Sequence, residues 1–350
     1  MRLRAALLNE LMHAERLTAQ MLAGPPARDP VEVTRRLLAV QGQDPRGARL
    51  AIRARSTGLS ATDIDRALTE DRSLLITWVN RGTLHLLASE DYPWLHALTA
   101  PTLFTAAARR LAQEGVTPDA ADRAVARIER ALAEEGPLSR LQLRERIDAA
   151  GVRTEGQALV HLLLLATLRG LIVRGPMVEG QHAYVLVRDW LGEHAPVDRD
   201  RALAELARRY LAGHAPADER DLAKWAGLPL RDARAGLAAI ASQLHQRADG
   251  LVELRATGAP APLPPPRLLG SFEPVLLGWR SRAALLGAHE QRLVTNNGIF
   301  RPFAMVDGRA VAVWKLSAGK LTMDPFAPIA AKDEAALQAD AEDVIRFLGR

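Results

Sequence analysis

Two residue types are missing or scarce in this sequence of 350 residues. It has no cysteine, which excludes disulfide bonds and metal sites built from thiolates. Lysine is scarce. Of the 46 arginine and lysine residues only four are lysine: Lys224, Lys315, Lys320 and Lys332. The basic side chains are therefore almost all guanidinium groups, which stay charged and present a rigid fork of donors to phosphate.

Long apolar segments are also lacking. The longest, ALVHLLLLATL (158–168), is shorter than the roughly 20 residues that a membrane-spanning helix needs. Asn9 and Glu10 interrupt the apolar run near the N-terminus too early for a secretory signal. We therefore expect a cytoplasmic protein without membrane contact. P-loop, GxGxxG, HExxH and GxSxG motifs are absent too, so the common nucleotide-binding and hydrolase signatures are missing.

The net charge of +5 favours an anionic partner, although a compositional bias towards arginine and alanine also explains the total. The positions of the arginines along the chain are more informative than the total charge. Four arginines fall within ten residues that contain no acidic side chain: Arg46, Arg49, Arg53 and Arg55. Each is a candidate for contact with a phosphate or a solvated surface charge.

One order of elements recurs along the chain: three helical patterns followed by β-strand patterns. The first copy has helices at 4–17, 30–41 and 60–71 and strands on either side of Asn80-Arg81-Gly82. The second has helices at 117–136, 137–151 and 154–170 and strands at 171–175 and 182–190. The third has helices at 200–216, 218–229 and 231–244 and a strand at 250–257. Three helices with a β wing are typical of a winged helix-turn-helix unit.

The C-terminal part has a different pattern. A proline-rich segment at 257–270 cannot be helical, and the residues after it alternate around the turns Asp307-Gly308 and Ala318-Gly319. A last helix is predicted from Lys332 onwards. The predicted fold is mainly α with β wings (α+β): three tandem winged helix-turn-helix units and a small C-terminal antiparallel β domain. The predicted boundaries are 1–116, 117–197, 198–258 and 259–350.

The stretch LAVQGQDPR (38–46) places two glutamines where a helical pattern stops. In a regular helix the side chains of Gln41 and Gln43 would point in nearly opposite directions, whereas in an extended segment they face the same way. Gly42 and Pro45 favour departure from the helix. The two amides are therefore expected to project together beside the arginine cluster. Alternatively, they cap the carbonyl groups at a helix end.

Several segments together resemble the AlkZ/YcaQ-like DNA glycosylases, also known as the winged-helix DNA-binding domain family. They are LAVQGQDPRGARLAIRAR, NRGTLHLL, LLGSFEPVLLGWR and GIFRPFAMVDGRAVAVWKL, spread from 38 to 316. The motif Gln41-Gly42-Gln43 is similar to the Gln-x-Gln branch of that family. The resemblance implies tandem winged helices and a monofunctional glycosylase that removes alkylated purines, including bulky or cross-linked adducts, from double-stranded DNA. It implies a monomer without metal or cofactor.

The resemblance assigns catalysis to Gln41 and Gln43, and we expect Gln43 to orient the water with Gln41 as its helper. Gly42 departs from the residues usual at the middle position, which bears on the placement of both amides. Asp44 is either a catalytic base, or part of a turn or of an ion pair with Arg46 or Arg49. The candidates for contact with DNA are Arg46, Arg49, Arg53, Arg55, His85 and Arg301.

Some of these candidates have ordinary structural alternatives. His85 is either a DNA contact or a structural histidine, and Trp78 and Trp94 either stack on a base or pack in the core. Two alternatives to the enzyme also remain. One is a non-catalytic DNA-binding protein that regulates genes or shields DNA, and the other is a ligand-binding or scaffolding role, which the 41 acidic residues favour.

Overall fold

The computed structural model describes residues 2–317 and 319–349. The helices of the first half are α1 (Arg2–Ala19), α2 (Pro30–Leu37), α3 (Pro45–Arg53), α4 (Ala61–Thr69), α5 (Tyr92–Thr99), α6 (Phe104–Gln113), α7 (Pro118–Glu135), α8 (Arg140–Ala149) and α9 (Ala158–Leu168). Those of the second half are α10 (Val187–Leu191), α11 (Arg199–His214), α12 (Glu219–Ala226), α13 (Leu230–Ala239), α14 (Pro274–Leu277), α15 (Ala283–Leu286), α16 (Glu290–Leu293) and α17 (Ala331–Phe347).

The strands pair in antiparallel fashion wherever two of them form a hairpin. They are β1 (Val40–Gln41), β2 (Leu74–Val79), β3 (Thr83–Ala88), β4 (Ile172–Val178), β5 (Gln181–Leu186), β6 (Leu244–Gln246), β7 (Val252–Leu254), β8 (Arg267–Leu269), β9 (Phe303–Val306), β10 (Arg309–Ser317) and β11 (Lys320–Pro325). The protein is therefore a mixed α and β structure with antiparallel sheets. In the part of the chain that the structure describes, no helix is both long and apolar enough to cross a bilayer.

The chain folds into two compact units. The first comprises residues 1–64, 203–225 and 229–350, and the second comprises residues 65–202 and 226–228. The division at 116, 197 and 258, and the winged-helix geometry of the parts, stay predictions. Since both compact units combine segments that are distant in sequence, local patterns alone do not reveal this grouping.

The second unit is built around two β-hairpins. Its neighbouring strands follow the order β3-β2-β4-β5. The hairpin of β2 and β3 turns at Asn80 and Gly82, which have φ angles of 54° and 76°. These left-handed angles suit asparagine and glycine, so the turn predicted from Asn80-Arg81-Gly82 is confirmed. Helices α7, α8 and α9 precede the hairpin of β4 and β5, in the predicted order.

The first unit contains a sheet in the order β11-β10-β9-β8. Asp307 and Gly308 connect β9 to β10 with φ angles of 48° and 74°, which confirms the predicted turn. The other predicted turn includes Ala318, which lies outside the described residues; on either side of it Ser317 pairs with Lys320. This sheet has a buried face, which includes Trp314 and Leu316, and a more exposed face.

Two predicted helices end earlier in the structure, and the helix that follows the glutamines is not predicted. The helix predicted at 30–41 ends at Leu37, because Leu38 adopts a left-handed φ of 65°. Helix α3 was not predicted, although Asp44 and Pro45 are strong signals for a helix start. The segment predicted as a helix at 231–244 ends at Ala239, and its last residue begins β6, which pairs with β7.

Candidate active site

The two glutamines lie in the short connection between α2 and α3. After the left-handed residue Leu38, the chain extends through β1 and leaves the strand at Gly42. Gly42 itself does not use a left-handed backbone angle, so the unusual conformation that ends the helix belongs to Leu38. The extended backbone brings the side chains of Gln41 and Gln43 to the same side.

The two amides are joined directly. Nε2 of Gln41 donates a hydrogen bond to Oε1 of Gln43 across 2.7 Å. Gln41 is buried, with 6% of its surface exposed, whereas Gln43 is exposed. The buried amide therefore holds the exposed one, and the carbonyl oxygen of Gln43 keeps a second lone pair that can accept another hydrogen bond.

Asp44 caps helix α3. Its Oδ1 accepts a hydrogen bond from the backbone N–H of Arg46 at 3.0 Å, and Pro45 occupies the first helical position. A carboxylate in this position satisfies one of the N–H groups left unpaired at a helix start. The structure favours the turn-forming role of Asp44 over that of a base.

Helix α3 packs very closely against the segment before α14. A Cβ atom added to Gly47 would lie 2.4 Å from the backbone oxygen of Ser271 and 3.2 Å from Oδ2 of Asp44. On the other side of this contact, Gly270 also lies close to Gly47, with its hypothetical Cβ 3.0 Å from the Gly47 oxygen. The two glycines let α3 approach this segment and thereby fix the start of the helix.

Two of the four clustered arginines are buried in ion pairs. Arg53 donates from Nη2 to Oδ1 of Asp340 at 2.5 Å and from Nε to Asp343 at 2.8 Å. Arg55 is fully buried and donates from Nη2 to Oε1 of Glu273 at 2.5 Å. These guanidinium groups join α3 and the residues just after it to distant segments of the same unit. Their burial argues against the phosphate contacts that the sequence suggested for Arg53 and Arg55.

The remaining arginines of the predicted site differ in exposure. Arg49 is 9% exposed, and its Nη1 donates to the carbonyl oxygen of Pro45 at 3.0 Å. Arg46 is half-buried and Arg301 is exposed. Arg46 and Arg301 line one cavity of about 620 Å³, although they are far apart in sequence.

His85 is buried in β3, with 2% of its surface exposed. Its Nδ1 lies 2.8 Å from the backbone oxygen of Thr83. Burial and the nearby charge of Arg81 lower the pKa of His85 to about 3, although the contact with the Thr83 carbonyl opposes this shift. The imidazole is therefore neutral at physiological pH, and an electrostatic contact with phosphate is not favoured.

The whole chain has known relatives. A family model described as DNA glycosylase AlkZ-like matches residues 34–347. The chain belongs to the AlkZ-like family. A relative from Streptomyces sahachiroi, an "Interstrand DNA cross-link repair glycosylase", is 26% identical over 342 residues, which cover 91% of this chain and 90% of the relative. The resemblance predicted from the sequence motifs is confirmed.

A solved structure is also similar. The Streptomyces sahachiroi DNA glycosylase AlkZ has a TM-score of 0.78 and 24% identity, over 97% of this chain and 96% of that chain. At this identity the likeness establishes a shared fold and leaves the activity to be argued from the site.

The turn next to His85 adds polar groups that the sequence did not single out. In this AlkZ-like chain the amide of Asn80 and the hydroxyls of Thr77 and Thr83 are buried and have no hydrogen-bond partner among the described residues. Such groups are uncommon in folded proteins. The sequence pattern indicated only a turn here, because asparagine and threonine are ordinary residues in a hairpin.

The two tryptophans and the acidic residues have mainly structural surroundings. Trp78 is 7% exposed and lies under the guanidinium group of Arg174, whose carbon is 5.1 Å from the ring centroid. Trp94 is half-buried and donates from Nε1 to Asp91 at 3.2 Å.

Within residues 2–317 and 319–349, no group of three histidine or acidic residues is arranged to hold a metal ion.

Proposed function

We propose that this chain is a monofunctional DNA glycosylase that hydrolyses the N-glycosidic bond of alkylated purines in double-stranded DNA. The observation that carries the proposal is the hydrogen-bonded pair of Gln41 and Gln43 in a chain of the AlkZ-like family. The name of the Streptomyces relative supports an extension to bulky and cross-linked adducts.

The chemistry explains how two neutral amides suffice. Alkylation at a ring nitrogen makes a purine cationic, so the base leaves as a neutral molecule and the glycosidic bond is already weakened. The enzyme then has to place a water near C1′ and stabilise the positive charge that develops on the sugar. An amide does not accept a proton near neutral pH, but its carbonyl oxygen accepts a hydrogen bond from water and directs its dipole at positive charge.

The structure supports a division of these tasks. Gln43 is exposed and carries the carbonyl oxygen that orients the water, while the buried Gln41 fixes that carbonyl through its Nε2–H. A neutral site also avoids holding the cationic base too tightly before the transition state, where such binding would bring no gain in rate.

The finer architecture belongs to the same proposal. Three helices precede the β4–β5 hairpin, and the helices α11, α12 and α13 precede the pair of β6 and β7. We infer that these groups are winged helices, a fold that places helices and hairpins against the DNA grooves. The protein acts as a cytoplasmic monomer in this proposal.

The proposal is tested with duplex DNA that contains N7-methylguanine. Wild-type protein, a Gln41→Ala/Gln43→Ala double variant and a no-protein sample are incubated with it, and hot alkali then cleaves any abasic sites. Strand breaks that exceed both controls support the glycosylase, and equal strand breaks in all three contradict it for this lesion. Borohydride should trap no covalent enzyme–DNA adduct, because water rather than a lysine amine is the proposed nucleophile.

A further inference from the structure

The cavity that contains Arg46 and Arg301 also contains the third basic side chain Lys315. Its volume is about 620 Å³, and Ser271, Ser317 and Thr322 also line it. All of these residues belong to the first compact unit. The sequence did not indicate this grouping, since its members come from α3, the segment before α14, the residues before β9 and the β10–β11 hairpin.

Strand alternation explains why Lys315 faces the cavity. In β10 the buried Trp314 and Leu316 alternate with the exposed Lys315 and Ser317. Lys315 is paired with Thr322 of β11, so these two side chains lie on the same face of the hairpin. The buried face packs into the core, and the other face, which carries Val313 as well as Lys315, contributes to one wall of the cavity.

Helix α3 forms another wall. Arg46 is the second residue of this helix, whose start is fixed by the Asp44 cap and by the contact between Gly47 and Ser271. The positive end of the helix dipole reinforces the charge of Arg46 there. Three residues of chain span at most about 11 Å, so Arg46 lies within that distance of Gln43 along the backbone.

The basic side chains of the cavity have no carboxylate partner within the described part of the chain. Among the described residues, the side chain of Arg301 donates a single long hydrogen bond, of 3.4 Å from Nη1 to the carbonyl oxygen of Arg292. Among the described residues that line the cavity, the acidic one is Asp324, which accepts a hydrogen bond from Nη2 of Arg292 at 2.8 Å. Three cations that share a cavity repel one another unless an anion lies between them.

We propose that this cavity binds the sugar–phosphate backbone of the DNA strand that carries the lesion, with Lys315 as a phosphate contact beside Arg46 and Arg301. The inference rests on the proposed function, which places the damaged nucleotide at Gln43. Guanidinium and ammonium groups neutralise the phosphodiester, and the hydroxyls donate hydrogen bonds to its oxygens. The cavity thereby holds the backbone a few nucleotides at most from the reacting sugar.

The first experiment measures binding of undamaged duplex DNA by fluorescence anisotropy between 50 and 200 mM salt. Each phosphate contact contributes about 0.9 to the slope of log K against log salt, or about 3.5-fold in affinity over this range. Lys315→Ala and Arg301→Ala should each lower the slope by about that amount. Lys332→Ala is the matched control, because Lys332 is an exposed lysine of α17 outside the cavity.

A slope for Lys315→Ala equal to that of Lys332→Ala would overturn the assignment. Since Lys315 and Arg301 are exposed, their thermal unfolding midpoints should match the wild type, which confirms that the variants are folded. DNA binding that depends on Lys315 in a protein without excision activity would support the cavity and refute the glycosylase. Excision activity in the wild type, together with an unchanged salt slope in Lys315→Ala, would support the glycosylase and refute the cavity.

A second experiment locates the phosphate. Duplexes with a lesion are prepared with one neutral methylphosphonate at each position along the damaged strand. One replacement near the lesion should weaken wild-type binding several-fold and have no effect on Lys315→Ala, because the same contact is already lost. Equal losses in the wild type and in Lys315→Ala at every position would contradict the proposal.

Discussion

The side-chain amide of Gln41 donates to the side-chain oxygen of Gln43 across 2.7 Å, and this contact gives the two glutamines unequal positions. Gln41 is buried and acts on its neighbour, whereas Gln43 is exposed and able to meet a substrate. The buried Gln41 thus fixes the position of the exposed Gln43 side chain. In the proposed mechanism, loss of Gln43 removes the water acceptor, and loss of Gln41 leaves that acceptor without support.

Arg55→Ala should destabilise the protein without a specific effect on DNA contacts. The substitution leaves Glu273 buried and unpaired, and breaking a buried ion pair in this way costs about 3–5 kcal/mol. Urea unfolding measures the loss. Arg46→Ala is the comparison, because its half-buried guanidinium lines the cavity: it should unfold like the wild type and bind DNA more weakly. A normal unfolding midpoint for Arg55→Ala would contradict the structural role of the pair.

Gly47→Ala should lower stability even though alanine favours a helix. The new methyl group would lie 2.4 Å from the Ser271 oxygen, which is backbone and cannot rotate away. Overpacking of this kind costs about 1–3 kcal/mol. Gly258→Ala is the control, since nothing lies within 4 Å of its hypothetical Cβ, and it should change stability by less than about 0.5 kcal/mol. Equal unfolding free energies for the two variants would refute the close contact.

His214 should make the protein sensitive to mild acid. Burial lowers the pKa of His214 from 6.5 to about 3; the nearby charges of Arg55 and Arg16 act in the same direction, and the contact with the Tyr210 carbonyl opposes them. The unfolded chain takes up this proton below about pH 6.5, whereas the native protein takes it up only near pH 3. Stability from this group is therefore constant above pH 6.5 and falls between pH 6.5 and 3.

The size of this effect follows from the same values. Between pH 7.5 and 5, His214 should account for a loss of roughly 2 kcal/mol in unfolding free energy. His214→Gln should be less stable at neutral pH because it loses packing against Tyr210, but its loss on acidification should be smaller by that amount. Urea unfolding at both pH values checks this, and identical pH dependence in the two proteins would show that His214 is not neutral in the fold.

Local sequence patterns predicted most of the regular structure. Helix α7 begins after the predicted cap Thr117 and ends before the predicted stop Gly136. The turns predicted at Asn80-Arg81-Gly82 and Asp307-Gly308 are also present. Helix α3 is not predicted, because its arginines are considered only as contacts with phosphate or as solvated surface charges. Its signals, Asp44 and Pro45, were interpreted as the end of the preceding helix.

The candidate site was predictable only in part. The geometry of Gln41 and Gln43 follows from an extended backbone, which a sequence can suggest. The surroundings of Arg53 and Arg55 could not be predicted from local sequence. Their partners are more than 200 residues away: Asp340, Asp343 and Glu273. The proposed role of Lys315 depends likewise on the register of a hairpin far from the glutamines in sequence.

The central claim is that the two amides catalyse release of the damaged base. The most direct measurement is the single-turnover rate at which free N7-methylguanine appears from duplex DNA, followed by mass spectrometry for wild type, Gln41→Ala and Gln43→Ala. We expect Gln43→Ala to lower the rate about 100-fold or more, because it removes one dipole that stabilises the charge of the transition state. Gln41→Ala should lower the rate less. DNA binding should be retained in both. A Gln43→Ala variant that releases the base at the wild-type rate would contradict the account.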